Sequence, residues 1–189
     1  MELFSAWLER AEALEVRYPA CMTLATASAT GRPSGRTVIL KGHDAEGFLF
    51  ETHSFSRKGV ELSENPFAAV TLYWREVYRQ VTATGAVEVL PPETSDLMWA
   101  RRPRPNRAVA IVSEQGAVLS DEGALVRRVR GLASSNDPLV RPPSYQAYRM
   151  VADTMEFWEG SDLRLHRRLF YEREAEDGLA RWSSRRLQP

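Results

Sequence analysis

Four cationic side chains lie close together in the first third of the chain, at the ends of two short apolar runs. Arg36 and Lys41 flank the first run, and Arg57 and Lys58 follow the second run, Gly47–Thr52. If both runs are strands whose ends meet, these side chains line one pocket, and clustered Arg and Lys donors suit a phosphate group. The alternative is a sheet whose basic ends simply face solvent.

Lysine occurs in this chain only within that stretch. Of the 25 Lys and Arg residues, only Lys41 and Lys58 are lysines. A general preference for arginine does not explain why lysine stands at these two places. Both lysines are therefore candidate anion-binding residues.

A second group of cationic side chains lies near the C-terminus, shortly after Trp158. It contains Arg164, His166, Arg167 and Arg168. His166 is suited to proton transfer because the unperturbed pKa of histidine lies near neutrality. The alternative interpretation is a solvated charged loop.

The elements that must position these residues can be predicted from apolar periodicity. Residues 3–14 repeat apolar side chains at helical spacing, and Tyr18-Pro19 ends this N-terminal helix, which with its flanks covers residues 1–17. Alternating patterns and turn residues predict strands, and longer periodic runs predict helices. The predicted strands are Met22–Thr26, Gly35–Lys41, Phe48–Thr52, Phe67–Trp74, Gln80–Leu90, Tyr145–Val151, Thr154–Trp158, Leu169–Arg173 and Ala180–Arg185, and the predicted helices are Arg57–Asn65, Pro92–Arg101 and Asp121–Ala133.

This element order predicts one mainly β domain over residues 1–189, a closed or split barrel with flanking helices. A turn is predicted at Glu176-Asp177-Gly178, and the proline-rich residues 134–143 are expected to form a mobile loop. Hydrophobic residues make up 43% of the chain and charged residues 26%, with zero formal net charge, which disfavours a nucleic-acid-binding protein. The single cysteine, Cys21, excludes an intrachain disulfide and is expected to be a buried thiol. Residues 1–14 lack the pattern of a signal peptide or membrane span, so a cytoplasmic location is expected.

Two motifs more than a hundred residues apart resemble those of the pyridoxamine 5′-phosphate oxidase family. The first contains Arg36-x4-Lys41, Glu51-Thr52, Ser56-Arg57-Lys58-Gly59 and Gln80, and the second contains Trp158 and Arg164-Leu165-His166-x-Arg168. The resemblance implies an FMN-binding split β-barrel, and a homodimer with each FMN at the subunit interface. It further implies an oxidase that passes a hydride from a small substrate to FMN, with O2 reoxidising the cofactor.

The resemblance also implies a role for individual residues. Arg164 and His166 are expected to be catalytic and to face the substrate, together with Lys41, Met98, Arg102 and Asn106. FMN is expected to contact Arg36, Thr37, Val38, Ile39, Glu51, Thr52, Arg57, Lys58, Gln80, Gln115, Trp158 and Arg168. No metal site is expected.

The chain departs from the family pattern where the substrate phosphate would bind. Met98 stands at a tyrosine position and Asn106 at a serine position, so two phosphate-binding hydroxyl groups are absent. Glu51 replaces an aromatic residue, and Gly116 follows Gln115 where serine is usual. These losses favour a substrate without a phosphomonoester, as in the similar FMN-dependent oxidases of phenazine biosynthesis, which oxidise reduced tricyclic dicarboxylic acids. The alternatives are a pyridoxine/pyridoxamine 5′-phosphate oxidase of vitamin B6 metabolism and a non-catalytic barrel that binds flavin or haem.

Overall fold

A computed structural model of the chain describes residues 1–176 and 179–189. The predicted turn at 176–178 lies in part outside the described residues. The described strands are β1 (Cys21–Ala27), β2 (Pro33–Ile39), β3 (Gly42–His43), β4 (Gly47–His53), β5 (Phe67–Trp74), β6 (Arg79–Val89), β7 (Tyr145–Glu159), β8 (Arg167–Glu176) and β9 (Leu179–Leu187). The α-helices are α1 (Glu2–Ala13), α2 (Arg57–Glu64), α3 (Pro92–Arg101), α4 (Arg104–Val112) and α5 (Glu122–Ser134), and a 3₁₀ turn spans Arg75–Val77.

The strands form one antiparallel sheet in the order β2-β1-β5-β6-β7-β4-β3, in which β8 also pairs with β7, and β9 pairs with β8. Strand β7 is the central strand of this sheet and pairs with β6 along most of its length. On its other side, Gly47–His53 of β4 pair with its first half and Arg167–Glu172 of β8 pair with its second half. The sheet therefore divides along β7, so that β4 and β8 lie at opposite ends of one strand.

Two strands were predicted where β7 is continuous. The register between β6 and β7 shifts at this point: Thr84 pairs with Thr154 and Gly85 with Ala152, so Asp153 is an extra residue in β7. A Cβ atom added at Gly85 would lie 1.8 Å from the Val151 carbonyl oxygen, so only glycine permits this close approach of the two backbones. The shift lets β7 pass through Ala152 and Asp153 without ending.

The core lies between the concave face of the sheet and α1. Phe4 of α1 makes edge contacts with the ring of Phe48, and Trp7 makes an edge contact with Phe157. The Trp74 indole donates a hydrogen bond to the Pro19 carbonyl, 2.9 Å away, which fixes the chain between α1 and β1. Each buried side chain of this size contributes about 1.5–3 kcal/mol to stability. Cys21 is half-buried rather than fully buried.

Helix α4 was not predicted, because a prolyl residue stands in its first turn and its sequence is short. It packs against α5, and Arg104 stabilises the arrangement through hydrogen bonds to the carbonyl groups of Leu132, Ala133 and Asp137. The Trp99 indole holds the proline-rich connection by donating to the Leu139 carbonyl at 2.7 Å. The predicted mobility of residues 134–143 stays a prediction. No helix of the described residues is long and apolar enough to cross a membrane.

Candidate active site

A cavity of about 450 Å³ lies between β2, β4, α2 and α4. Most of the residues predicted from the first motif line it. The lining residues are Arg36, Thr37, Val38, Ile39, Lys41, Glu51, Thr52, His53, Lys58, Arg102, Asn106, Val109, Ala110, Ser113, Gln115 and Tyr145. A cavity is therefore present where the sequence predicted a phosphate pocket, and its volume is that of a small-ligand site.

Helix α2 brings Lys58 to one end of this cavity. Ser56 is the N-cap, and its hydroxyl accepts a hydrogen bond from the Gly59 amide at 3.3 Å. Lys58, in the first turn, is 6% exposed, and its Nζ donates to Ser56 Oγ and Gln115 Oε1, both at 3.2 Å. Thr52 Oγ1 lies 3.2 Å from Ser56 Oγ and completes this cluster. Burial and the nearby Arg36 charge lower the pKa of Lys58 to about 8.

A buried carboxylate, Glu61, fixes the two arginines beside Lys58. It accepts hydrogen bonds from Arg57 Nε at 2.9 Å, from Arg36 at 3.3 Å, and from the hydroxyl groups of Thr26 and Ser34. Burial on its own would raise the pKa of Glu61, but these hydrogen bonds outweigh it and lower that pKa to about 2. Arg36 also donates to the Leu24 carbonyl at 3.1 Å, whereas the Arg57 side chain remains 66% exposed. Arg36 is therefore held rigidly, and Arg57 stays accessible.

The other end of the cavity contains Lys41, Arg102 and Glu51. The Glu51 carboxylate lies 3.6 Å from Lys41 Nζ and 3.5 Å from Arg102 Nη1, and its side chain is 3% exposed. The Arg102 guanidinium also lies over the ring of Tyr145, 5.1 Å from its centroid. Burial and the Glu51 charge raise the pKa of Tyr145, so its hydroxyl group is neutral. Two of the three cations expected to contact the substrate, Lys41 and Arg102, are thus already ion-paired within the chain.

The second motif forms a separate cluster where β6, β7 and β8 run side by side. Gln80 is the register partner of Trp158, and Trp158 in turn is the partner of Arg168. The Trp158 ring lies 4.8 Å from that of His166. Arg168 binds the Glu156 carboxylate through Nε at 2.7 Å and Nη2 at 2.9 Å, which raises the pKa of Arg168. This pair orients the guanidinium alongside Trp158.

The hydrogen bond that His166 accepts determines which of its ring nitrogens carries the proton. Its Nδ1 lies 3.1 Å from the Ser161 backbone N–H, which can only donate, so Nδ1 accepts. The neutral ring therefore carries its proton on Nε2. Arg164, two residues earlier, is exposed and has a left-handed backbone with φ of 61°. His166 is the half-buried, hydrogen-bonded member of the predicted catalytic pair.

The chain on its own does not unite the two clusters. Among residues 1–176 and 179–189, no hydrogen bond, ion pair or ring contact joins Gln80, Trp158, His166 or Arg168 to the residues of the 450 Å³ cavity. His166 and Arg168 instead line a different cavity of about 660 Å³, with Trp7 and Arg186. Met98 is half-buried on α3 and is not among the described residues that line the first cavity.

Two residues that shape the first cavity were missed from the sequence: Glu61, which pairs with Arg36 and Arg57, and Tyr145, which lines the cavity. Val109, Ala110 and Ser113, which also line it, were not predicted either. Glu61 stands four residues after Arg57, a helical spacing that could have indicated the ion pair. Ser56 belongs to the first motif, and its position before α2 is that of a typical N-cap. Tyr145 reaches the cavity because β7 begins beside α3 and β4, and no local pattern indicates this.

A cavity with cations around a helix N-terminus, in a split barrel, matches the site expected for the class of oxidoreductases suggested by the sequence motifs. Residues 8–136 match the family model described as pyridoxamine 5′-phosphate oxidase. Residues 145–189 match the model of the pyridoxine 5′-phosphate oxidase C-terminal dimerisation region. The chain belongs to the pyridoxamine 5′-phosphate oxidase family.

Two curated relatives have different names at nearly equal similarity. The dihydrophenazinedicarboxylate synthase of Pseudomonas chlororaphis is 41% identical, over 100% of this chain and 83% of the relative. The pyridoxine/pyridoxamine 5′-phosphate oxidase of Paraburkholderia phymatum is 43% identical, over 98% of this chain and 87% of the relative. Sequence identity therefore does not distinguish the two activities. It does confirm the predicted assignment to an oxidoreductase family.

Two solved structures share the fold. PhzG from Burkholderia lata, in complex with tetrahydrophenazine-1-carboxylic acid, is 39% identical with a TM-score of 0.94 and covers 100% of this chain and 91% of that chain. A pyridoxamine 5′-phosphate oxidase-related, FMN-binding protein from Nostoc punctiforme is 21% identical with a TM-score of 0.80, covering 100% of this chain and 96% of that chain. The predicted FMN-binding split-barrel fold is confirmed.

Proposed function

We propose that this protein is an FMN-dependent oxidase that acts on a small reduced heterocyclic carboxylic acid of the dihydrophenazine type. The observation that carries the proposal is the environment of Lys58. This buried ammonium group donates to two neutral partners, Ser56 and Gln115, and sits in the first turn of α2. A buried cation beside amide donors at a helix N-terminus suits a phosphate group.

The residues present fit the phosphate of FMN. Arg36, Arg57 and Lys58 supply cationic donors against one carboxylate, Glu61, so the cluster keeps a net positive charge of about two, which matches a phosphomonoester dianion. Thr52 adds a hydroxyl donor, and the strand backbone at Thr37, Val38 and Ile39 forms one wall. When bound, FMN would accept a hydride from the substrate and pass the electrons to O2.

We further propose a homodimer in which the second cluster of one protomer completes the cavity of its partner. The match of residues 145–189 to a dimerisation region supports this, as does the separation of the two clusters within one chain. Gln80, Trp158 and Arg168 would then contact the flavin of the partner subunit. Arg168, oriented by Glu156, would present guanidinium N–H donors to that flavin.

His166 and Arg164 would contact the substrate. Because His166 Nδ1 accepts from the backbone, its Nε2–H is the group free to donate to the substrate. Arg164 would pair with a substrate carboxylate, and its exposure leaves it free to adjust. Lys41, Arg102 and Asn106 would form the opposite, anion-binding end of the substrate site.

The substrate class rests on which donors are present in the cavity. Asn106 lines the cavity at the position of a family serine, and Met98, at the position of a family tyrosine, does not line it and supplies no hydroxyl group. The relatives named for a dihydrophenazine dicarboxylate and solved with a tetrahydrophenazine carboxylic acid support a carboxylate substrate. The second candidate is pyridoxine/pyridoxamine 5′-phosphate oxidase, favoured by the retained Lys41 and Arg102 and by the 43% identity to such an enzyme.

The deciding experiment is anaerobic reduction of the FMN-loaded protein. A dihydrophenazine carboxylate and pyridoxine 5′-phosphate are offered in parallel, and bleaching of the visible flavin absorbance is followed in a stopped-flow instrument. Rapid bleaching by the dihydrophenazine alone is the expected result. Bleaching by the phosphate ester alone would replace the proposal with vitamin B6 metabolism, and bleaching by neither would contradict both.

A further inference from the structure

Glu51 introduces a negative charge into the end of the cavity where the substrate acid would bind. Its carboxylate lies between Lys41 Nζ, at 3.6 Å, and Arg102 Nη1, at 3.5 Å. The side chain is almost fully buried and stands on β4, where Glu51 pairs in register with Ala147 of β7. Pairing of β4 with β7 at this position and the burial of the side chain hold the carboxylate in place, so it cannot readily turn away to solvent.

The two ends of the cavity therefore carry different charges. At the α2 end, Arg36 and Lys58 line the cavity and Arg57 pairs with Glu61 beside it, so these four groups leave a net charge of about two positive units, with Lys58 protonated at neutral pH. At the β4 end, Lys41 and Arg102 stand against Glu51 and leave about one. The other titratable groups there are neutral, because burial lowers the pKa of His53 and raises that of Tyr145.

We propose that Glu51 is a specificity-determining residue that restricts the β4 end of the cavity to singly charged acids, such as a carboxylate, and disfavours phosphomonoester dianions. This proposal rests on the proposed function, whose substrate site it refines. An anion seated against Lys41 and Arg102 lies close to the Glu51 carboxylate. Attraction to the site grows in proportion to the ligand charge, whereas the desolvation penalty grows with its square, so a dianion gains too little from one net positive charge.

The test compares two anions of similar shape and different charge on the FMN-loaded protein. Phenyl phosphate is a dianion at pH 8 and phenyl sulfate is a monoanion, and FMN keeps the α2 end filled. Isothermal titration calorimetry gives both dissociation constants for the wild-type protein and for Glu51→Gln, which keeps the shape and removes the charge. Glu88→Gln is the matched control, because Glu88 pairs with Arg149 at 2.8 Å on the exposed surface of β6.

The wild-type protein is expected to bind phenyl sulfate at least as tightly as phenyl phosphate. Glu51→Gln should shift the ratio of the two dissociation constants toward the phosphate by about tenfold or more, because removing a negative charge favours the dianion twice as strongly as the monoanion. Glu88→Gln should leave the ratio unchanged. An equal change for both ligands in Glu51→Gln would overturn the proposal.

If Glu51→Gln does not fold, the ratio of the two dissociation constants for the wild-type protein tests the proposal on its own. A wild-type protein that binds phenyl phosphate tenfold more tightly than phenyl sulfate would overturn the assignment of Glu51. Neither probe reduces or oxidises flavin, so this result does not depend on oxidation of a dihydrophenazine. Failure of flavin reduction therefore contradicts the proposed function, and failure of the charge discrimination contradicts the role of Glu51.

Discussion

The charge state of Lys58 depends on two opposing effects, burial of the side chain and binding of an anion. The pKa of Lys58 is lowered to about 8 by burial and by the nearby Arg36, whereas a phosphate group would favour its protonated form. We therefore expect FMN binding to take up a proton above pH 8, with the affinity falling about tenfold for each further pH unit. Titration of the apoprotein by flavin fluorescence between pH 7 and 9.5 measures this. Lys58→Met should bind FMN weakly and without that pH dependence, and a constant wild-type affinity across the range would contradict the assignment.

Glu61 should make the protein sensitive to acid. Its pKa is lowered to about 2, below the ordinary value of 4.5, because hydrogen bonds from Ser34, Thr26, Arg57 and Arg36 outweigh burial. The stabilisation from ionised Glu61 is therefore complete above pH 4.5 and is lost as the pH falls toward 2, a loss on the order of 3 kcal/mol. Urea denaturation at pH 7 and pH 3 measures it. Glu61→Gln should lower stability at pH 7 and show a smaller loss between the two pH values, whereas an undiminished loss would assign the acid sensitivity to other carboxylates.

His166 is expected to act through Nε2–H as a hydrogen-bond donor to the substrate. Its Nδ1 is occupied by the Ser161 amide. His166→Ala should slow flavin reduction by about a hundredfold, the usual size of a lost general-acid contribution, while leaving FMN bound. His166→Gln retains an N–H near the Nε2 position and should recover part of that loss. Anaerobic stopped-flow reduction, with flavin content measured in parallel, distinguishes a substrate contact from a loss of cofactor.

At the scale of elements, changes in helix α2 should affect both the stability of the protein and the proposed phosphate site. Ser56→Ala removes the N-cap of α2 and should cost about 1 kcal/mol in the free energy of unfolding. Gly59→Ala should cost more, because the added Cβ would lie 2.4 Å from the Ser54 carbonyl oxygen and 2.5 Å from that of His53. Both changes should weaken FMN binding because they displace Lys58.

A glycine in another helix provides the control for Gly59. A Cβ atom at Gly131 of α5 meets nothing within 4 Å, so Gly131→Ala should stabilise the protein by about 0.5–1 kcal/mol through helix propensity. Thermal and chemical denaturation of the three variants tests this order. Equal destabilisation by Gly59→Ala and Gly131→Ala would mean that the close backbone approach at α2 is not what limits the site.

At the scale of the whole molecule, the separation of the two clusters makes the proposed dimer testable. Lys58→Met impairs the cavity and His166→Ala impairs the second cluster, so each homodimer should be nearly inactive. In a symmetric dimer with shared sites, mixing the two variants in equal amounts with subunit exchange should restore about a quarter of wild-type activity, because half of the dimers are mixed and each has one intact site. Oxidase assays after joint refolding measure this. No recovery, with mixed dimers present by mass spectrometry, would mean that each site belongs to one chain.

Much of the fold could be predicted from the sequence, because most elements show their own periodicity. Helix α1, helix α2 and strands β4 to β6 lie close to their predicted positions. Helix α4 and the continuity of β7 were missed. A proline near the start of α4 hid a short helix, and β7 continues through Ala152 and Asp153 only because Gly85 of the neighbouring strand accommodates it. Both outcomes depend on partners distant in the sequence.

The sequence by itself determined the split-barrel family and the set of charged residues available for binding. Only the tertiary structure decided which of these charges are neutralised within the chain. Lys41 and Lys58 are chemically identical, yet Lys41 faces the Glu51 carboxylate and Lys58 faces neutral donors and acceptors. The tertiary structure also separated the two motifs into different regions of one chain. The physical reason is that charge pairing depends on distances of a few ångströms between residues far apart in the sequence, and local patterns carry no information about those distances.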